Sequence, residues 1–163
     1  MGQSLDIMIA GVQKAGTSSL ARYLKQHPCI LGHESREMPY FVRDKLYQKG
    51  FDTVLKNYYT EEPREKQALL AKSAGISYLE KAAQRLSNHS PNCKIVVLLR
   101  DPVSRAYSAY WHMRREGWET KGTFEAALAA EEKRIKKGGD VAIHCSYRTR
   151  GRYPEQISRL KRL

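Results

Sequence analysis

Two short stretches of this sequence combine residue types that bind anions. The first is Gly11-Val12-Gln13-Lys14-Ala15-Gly16-Thr17-Ser18-Ser19-Leu20. Its small residues let a backbone come close to a ligand, and the N–H groups of a helix start, helped by the helix dipole, attract negative charge. Thr17 and Ser18 add hydroxyl donors, and Lys14 adds a mobile cation. The spacing Gly11-x4-Gly16 equals that of a nucleotide-binding P-loop, but Thr17 stands where the P-loop lysine belongs. That displacement weighs against a nucleotide kinase or NTPase, in which the lysine reaches the terminal phosphates and the next hydroxyl holds magnesium.

The second stretch is Arg100-Asp101-Pro102-Val103-Ser104-Arg105-Ala106-Tyr107-Ser108. Arg100 closes a predicted parallel strand, and open α/β sheets bind ligands at that end. Ser104 and Ser108 share one face of the following helix. Arg100 and Ser108 can therefore converge on one phosphate, by charge and by hydroxyl. Asp101 reads as the N-cap of that helix and Pro102 as its first residue, a role that competes with holding magnesium. Between the two stretches, Gly32-His33-Glu34-Ser35-Arg36-Glu37-Met38-Pro39-Tyr40-Phe41 offers one imidazole and two carboxylates as proton acceptors. The plainer reading of Glu34, Arg36 and Glu37 is a set of exposed charge pairs.

These groups need a scaffold, and the apolar pattern supplies one. Leu5 to Val12 reads as a buried strand running into a glycine turn, and Thr17 to His27 as a helix stopped by Pro28. Cys29 to Leu31 and Ala68 to Lys72 are further short strands, Leu46 to Tyr59 is weakly helical, and Gly75 to Asn88 is a helix. Lys94 to Leu99 is the clearest strand, and its apolar run suits a parallel strand covered on both faces. The helix from Pro102 carries a stripe of Val103, Ala106, Tyr107, Tyr110 and Trp111, and these rings, with Trp118, are expected in packing rather than against adenine. Thr123 to Lys137 is an amphipathic helix closed by Gly138-Gly139, and a last helix starts at Tyr153. Strands alternating with helices imply an α/β fold, a P-loop-like parallel sheet flanked by helices. One domain over residues 1–163 is expected, and because the sequence stops inside its last helix, that domain is expected to continue beyond the C-terminus.

Composition limits the partners. The chain has 163 residues and a net charge of +12, of which residues 133–163 carry +8. Such a balance suits phosphate, sulfate or acidic polymers. A basic polyanion-binding module without catalysis would fit that tail, although no aromatic-interleaved nucleic-acid motif accompanies it, and no nucleic acid is expected. Cys29, Cys93 and Cys145 are too widely spaced for a zinc pattern or a disulfide framework. No apolar run approaches the roughly 20 residues of a membrane span, and no signal-like segment opens the chain. The resulting expectation is a cytoplasmic protein with reduced thiols, no membrane and no metal.

Taken together, the two anion-binding stretches resemble the PAPS-dependent sulfotransferase family, most closely its heparan-sulfate-type branch with the bacterial relatives. Lys14-Ala15-Gly16-Thr17-Ser18 is similar to the family's 5′-phosphosulfate loop. Arg100-Asp101-Pro102 with Ser108-Ala109-Tyr110 is similar to its 3′-phosphate motif. The resemblance implies sulfuryl transfer from 3′-phosphoadenosine 5′-phosphosulfate (PAPS, leaving PAP) to a hydroxyl or amine acceptor, small molecule or carbohydrate. In that branch a glutamate followed by an aromatic pair is the base, which Glu37 with Tyr40-Phe41 matches. Glu34 and His33 stay in competition, since cytosolic small-molecule sulfotransferases use a histidine. Lys72, in Ala71-Lys72-Ser73-Ala74-Gly75, resembles the family's second lysine beside the transferred group. Gly151-Arg152-Tyr153 is faintly similar to a segment on the acceptor side. The glycine- and lysine-rich loop that closes over the donor in the family has no counterpart before Leu163.

Overall fold

The computed structural model describes residues 3–163, which form two compact units. The first comprises residues 3–98 with Gln156–Leu163, and the second Leu99–Glu155.

The first unit is built on four parallel strands: β1 (Ile7–Gly11), β2 (Ile30–Gly32), β3 (Ala68–Lys72) and β4 (Lys94–Val97). Their order is β2-β3-β1-β4. Ile9 of β1 is level with Lys72 of β3 and with Val96 of β4, and Gly32 of β2 is level with Leu70. All carboxyl ends therefore lie along one edge of the sheet. The chain passes from β3 to β4 across β1, so strand order reverses at the carboxyl end of β1, the switch point where such sheets bind ligands.

β1 and β3 are buried along nearly their whole length, as apolar runs in central parallel strands should be. β4 differs from its expectation. It ends at Val97, forms an edge of the described sheet, and leaves Ile95 37% exposed. The core gathers Met8, Leu31, Met38, Phe41, Leu69 and Ile76. Helix α1 (Thr17–Leu24) follows β1. The weakly helical stretch is two pieces, α2 (Asp44–Tyr47) and α3 (Phe51–Tyr58), because Gly50 has φ 82 between them. Helix α4 (Glu80–His89) starts five residues later than expected, after turns at Gly75 to Leu79.

In the second unit, α5 (Pro102–Arg115) is capped by the Asp101 carboxylate, which accepts from Ser104 N at 2.8 Å. That N–H holds the Asp101 carboxyl below the usual carboxylate range. The buried face of α5 is Arg105, Ala106, Ala109, Tyr110 and Met113. The expected stripe is thus partly turned outward: Val103, Tyr107 and Trp111 are exposed, and Arg105 is fully buried. α6 (Phe124–Lys137) and α7 (Gly139–His144) follow, then a short 3-10 turn at Thr149–Gly151. α8 (Tyr153–Lys161) starts in the second unit, and from Gln156 its residues belong to the first, where Arg159 donates to Ser77 O at 2.6 Å.

Candidate active site

The turn after β1 is shaped by backbone hand. Gly11, Lys14 and Gly16 all have positive φ, at 131°, 68° and 91°. Lys14 is a non-glycine in the left-handed region, an uncommon placement that turns such as this one use to form an anion-binding concavity. A Cβ at Gly11 would sit 2.7 Å from Ser77 Oγ and 3.1 Å from Ala74 O, so the turn packs directly on the segment after β3. A Cβ at Gly16 would meet nothing within 4 Å. The mouth of the turn is open where its floor is tight. The α1 ladder starts with Ser19 N and Leu20 N on Gly16 O, so the N–H groups of Thr17 and Ser18 precede it and take no helical carbonyl.

Lys72 ends β3 with its side chain only 4% exposed. Its ammonium donates to Glu37 Oε1 at 2.6 Å and to Ser18 Oγ at 3.3 Å. The second Glu37 oxygen accepts from Ala74 N at 2.8 Å. Ser18, Glu37 and Lys72 are far apart in sequence and meet at one nitrogen.

What holds Glu37 there is the aromatic pair after it. Tyr40 and Phe41 are buried, 4.9 Å apart in an edge-on contact, among Tyr47, Phe51 and His89. Burying a ring the size of Phe41 contributes about 1.5–3 kcal/mol, enough to fix the loop that leads into it. Arg85 adds a polar anchor, donating to Phe41 O at 3.1 Å and to Asp44 Oδ1 at 2.6 Å. Met38 N donates to Lys72 O at 2.9 Å, which ties the loop to the strand end beside Glu37.

The other two base candidates are engaged differently. Glu34 is exposed and pairs with Lys25 at 2.6 Å. His33 is buried, and its Nε2 accepts from the backbone N of Lys72 at 3.0 Å. Burial, and then the charges of Lys72 and Lys25, push its pKa down to about 4, so the ring is neutral near pH 7. With Nε2 an acceptor, the proton is on Nδ1, 3.1 Å from Ser35 Oγ.

Beside this cluster lies a cavity of about 210 Å³ lined by Ser18, Arg22, Lys25, His33, Arg36 and Lys72 among others. Sequence reasoning missed Arg22, Lys25 and Arg36 as its lining. The only local hint is Gly32: a Cβ there would stand 2.5 Å from Lys25 Cγ, so the lysine stem lies across the glycine.

In the second unit, Arg100 is exposed and Ser108 half-buried on α5. Arg100 O accepts from Tyr153 OH at 2.9 Å, a contact that gives Gly151-Arg152-Tyr153 a structural role next to the arginine. Among the described residues, no group of three or more His, Cys, Asp or Glu is placed to hold a metal ion. No helix among them is long and apolar enough to cross a membrane.

A parallel sheet with a glycine turn at its switch point, an open helix start and a lysine–glutamate pair beside it defines a P-loop-like α/β fold. Comparison with known proteins gives the family. The family described as "Sulfotransferase domain" matches residues 4–161, and the chain belongs to it. A crystal structure of a sulfotransferase from Alicyclobacillus acidocaldarius superposes with a TM-score of 0.81 at 31% identity, over 98% of this chain and 68% of that one. The mouse heparan sulfate glucosamine 3-O-sulfotransferase 5 is 31% identical over 70% of this chain and 32% of its own length. The Dictyostelium discoideum membrane-associated sulfotransferase kil1 is 29% identical over 97% of this chain and 33% of its own length. The mouse bifunctional heparan sulfate N-deacetylase/N-sulfotransferase 4 is 32% identical over 66% of this chain and 13% of its own length. The chain thus spans a third or less of these curated relatives.

Proposed function

We propose that this chain transfers a sulfuryl group from PAPS to a hydroxyl or amine acceptor, with a carbohydrate as the favoured class. The observation that carries the reading is the Lys72 ammonium, hydrogen-bonded at once to Glu37 and to Ser18 of the glycine turn. One cation links a carboxylate base to the loop suited to the donor's phosphosulfate. The carbohydrate preference rests on the heparan sulfate enzymes among the relatives.

In this reading Lys14, Ala15, Gly16, Thr17 and Ser18 hold the 5′-phosphosulfate, and Arg100 and Ser108 hold the 3′-phosphate. The open space over Gly16 fits a bulky anion there. The acceptor enters the cavity beside Lys72. Glu37 takes the acceptor proton as the acceptor oxygen or nitrogen bonds to sulfur and the sulfur–oxygen bond to the 5′-phosphate breaks. Lys14 and Lys72 offset the charge that develops on the leaving phosphate oxygen and on the transferring group. Glu37 is favoured over His33 because the imidazole Nε2 is already committed to the Lys72 backbone. It is favoured over Glu34 because Glu34 is turned to Lys25. The three cysteines are unpaired, which favours a reducing compartment such as the cytoplasm.

The test is transfer of labelled sulfate from PAPS, alongside PAP binding by thermal shift. Glu37→Gln is expected to lose about 10²–10⁴-fold in turnover with PAP binding intact, the range for removing a general base. Full activity in Glu37→Gln removes Glu37 from the role, and failure to bind PAP removes the whole reading.

A further inference from the structure

We propose that His33 is a positioning residue: its imidazole replaces its own backbone carbonyl as the hydrogen-bond acceptor at the end of β3, so that β2 can leave the sheet and carry Glu37 back to Lys72. The proposal rests on the reading of Glu37 and Lys72 as the reacting pair.

The argument starts from ladder arithmetic. In a parallel pair, acceptors and donors recur every second residue. Ala68 N donates to Cys29 O at 2.7 Å, and Gly32 is level with Leu70. Two ladder steps on from Cys29 and Ala68, the next donor is Lys72 N and its regular acceptor would be His33 O. The structure departs from this. His33 O instead accepts from Lys25 Nζ at 3.2 Å, and Lys72 N donates to His33 Nε2 at 3.0 Å. A buried N–H left without a partner costs about 1–3 kcal/mol, so the imidazole removes the penalty of ending the ladder early.

The same ring reaches the Glu37 loop. With Nε2 accepting, Nδ1 carries the proton and donates to Ser35 Oγ, which donates onward to Glu37 O at 2.8 Å. One side chain thus fixes the backbone of Lys72 on one side and of Glu37 on the other. The groups around it are cationic Lys25, the residue that caps the C-terminus of α1, and Lys72 from β3, Tyr59 edge-on at 6.1 Å, and Glu34 and Glu37 on its own loop. The two cations and the buried site keep the ring neutral, which the relay needs: a protonated ring has no acceptor for Lys72 N.

The test compares the full chain with His33→Gln and His33→Phe. Gln places its Oε1 as many bonds from Cβ as Nε2 and can accept from Lys72 N; Phe cannot. In the wild type, 15N NMR is expected to show Nδ1 protonated and Nε2 unprotonated from pH 8 down to pH 5. The Lys72 amide is expected to resist hydrogen exchange in wild type and His33→Gln and to lose at least tenfold in protection in His33→Phe. Turnover should fall at least tenfold in His33→Phe, with KM for PAPS within twofold, and recover most of the loss in His33→Gln. A wild-type ring protonated on Nε2, or one that titrates near pH 6.5, overturns the proposal. So does equal Lys72 protection in all three proteins. If His33→Phe does not fold, the wild-type tautomer and the His33→Gln amide still decide it. If the chain transfers no sulfuryl group, the functional reading fails while the NMR and exchange results still judge His33.

Discussion

Lys72 and Glu37 meet at 2.6 Å with very different exposure, 4% for the lysine side chain and 40% for the glutamate. The pair is lopsided: the cation is sunk in the sheet edge and the carboxylate is half in water. Removing the cation therefore strands no buried charge, because Glu37 can be rehydrated and keeps Ala74 N as donor. Lys72→Met is expected to keep thermal stability within about 1 kcal/mol of wild type, since an apolar side chain of similar length suits the site. Its turnover should fall by about 10²–10³-fold, the cost of removing one preorganised charge-stabilising donor. Sulfate transfer and thermal unfolding on the same preparation check this, and a Lys72→Met variant that keeps its turnover takes the lysine out of the chemistry.

Gly11 and Gly16 provide an internal comparison. Both have positive φ, but only Gly11 faces a wall, with Ser77 Oγ and Ala74 O inside the reach of a Cβ. Gly16→Ala should cost about 1–2 kcal/mol, the left-handed penalty alone. Gly11→Ala adds a steric clash with backbone and should cost on the order of 3–4 kcal/mol. Urea midpoints measure both, and equal losses would refute the packing of the turn on the segment after β3.

Much of this fold was legible because its signals are local. Ala68–Lys72 forms the strand its apolar run predicts, and Asp101-Pro102 starts α5 as a cap and first residue should. The glycine turn was legible for the same reason. What was not legible depends on sheet order and burial. Nothing in the spacing of Ser18, Glu37 and Lys72 shows that they share a nitrogen; that follows from β1 pairing with β3. Arg105 drew no burial expectation from the sequence, yet it is fully buried and donates to Tyr147 O. The small residues Ala106 and Ala109 beside it were the available hint, since they allow the close approach that covers it. Glu119 sits in what reads as a loop between Gly117 and Lys121, and no pattern marks it as buried.

Glu119 is the polar centre of the second unit. Its side chain has no exposure, and it accepts from both terminal nitrogens of Arg134 at 2.6 Å, from Tyr147 OH at 2.8 Å and from Lys121 N at 2.7 Å. Burial pushes its pKa up, but the Arg134 pair, the Lys121 N–H and the Tyr147 hydroxyl outweigh that and hold it below the ordinary 4.5. A carboxylate with a lowered folded pKa contributes stability above the unfolded value and loses it as pH falls through the folded one. Glu119→Gln should therefore destabilise this unit at pH 7 by about 3–5 kcal/mol, leaving Arg134 without its counter-charge. The gap to wild type should narrow below pH 4.5. Chemical denaturation from pH 7 to pH 3 tests both, and a gap that does not depend on pH would mean the carboxylate takes up its proton equally in the folded and unfolded chains, so that the fold does not lower its pKa.

His33 gives a stability slope in a different window. Its pKa is about 4 in the folded chain against an ordinary 6.5, through burial and then the charges of Lys72 and Lys25. Between these values the unfolded chain binds a proton that the folded chain does not, so stability rises with pH across the interval. The full contribution is present above pH 6.5 and is lost as pH falls toward 4. One such proton gives a slope approaching about 1.4 kcal/mol per pH unit. His89, half-buried and also lowered, adds to the same limb, so the quantity to read is the difference between proteins. His33→Gln has no proton to gain and should show a flatter profile from pH 6.5 to 4.5, by up to that slope. Urea unfolding at half-unit steps of pH resolves it. Parallel profiles would show that the imidazole takes up its proton equally in both states, and Lys72 N would then need another acceptor.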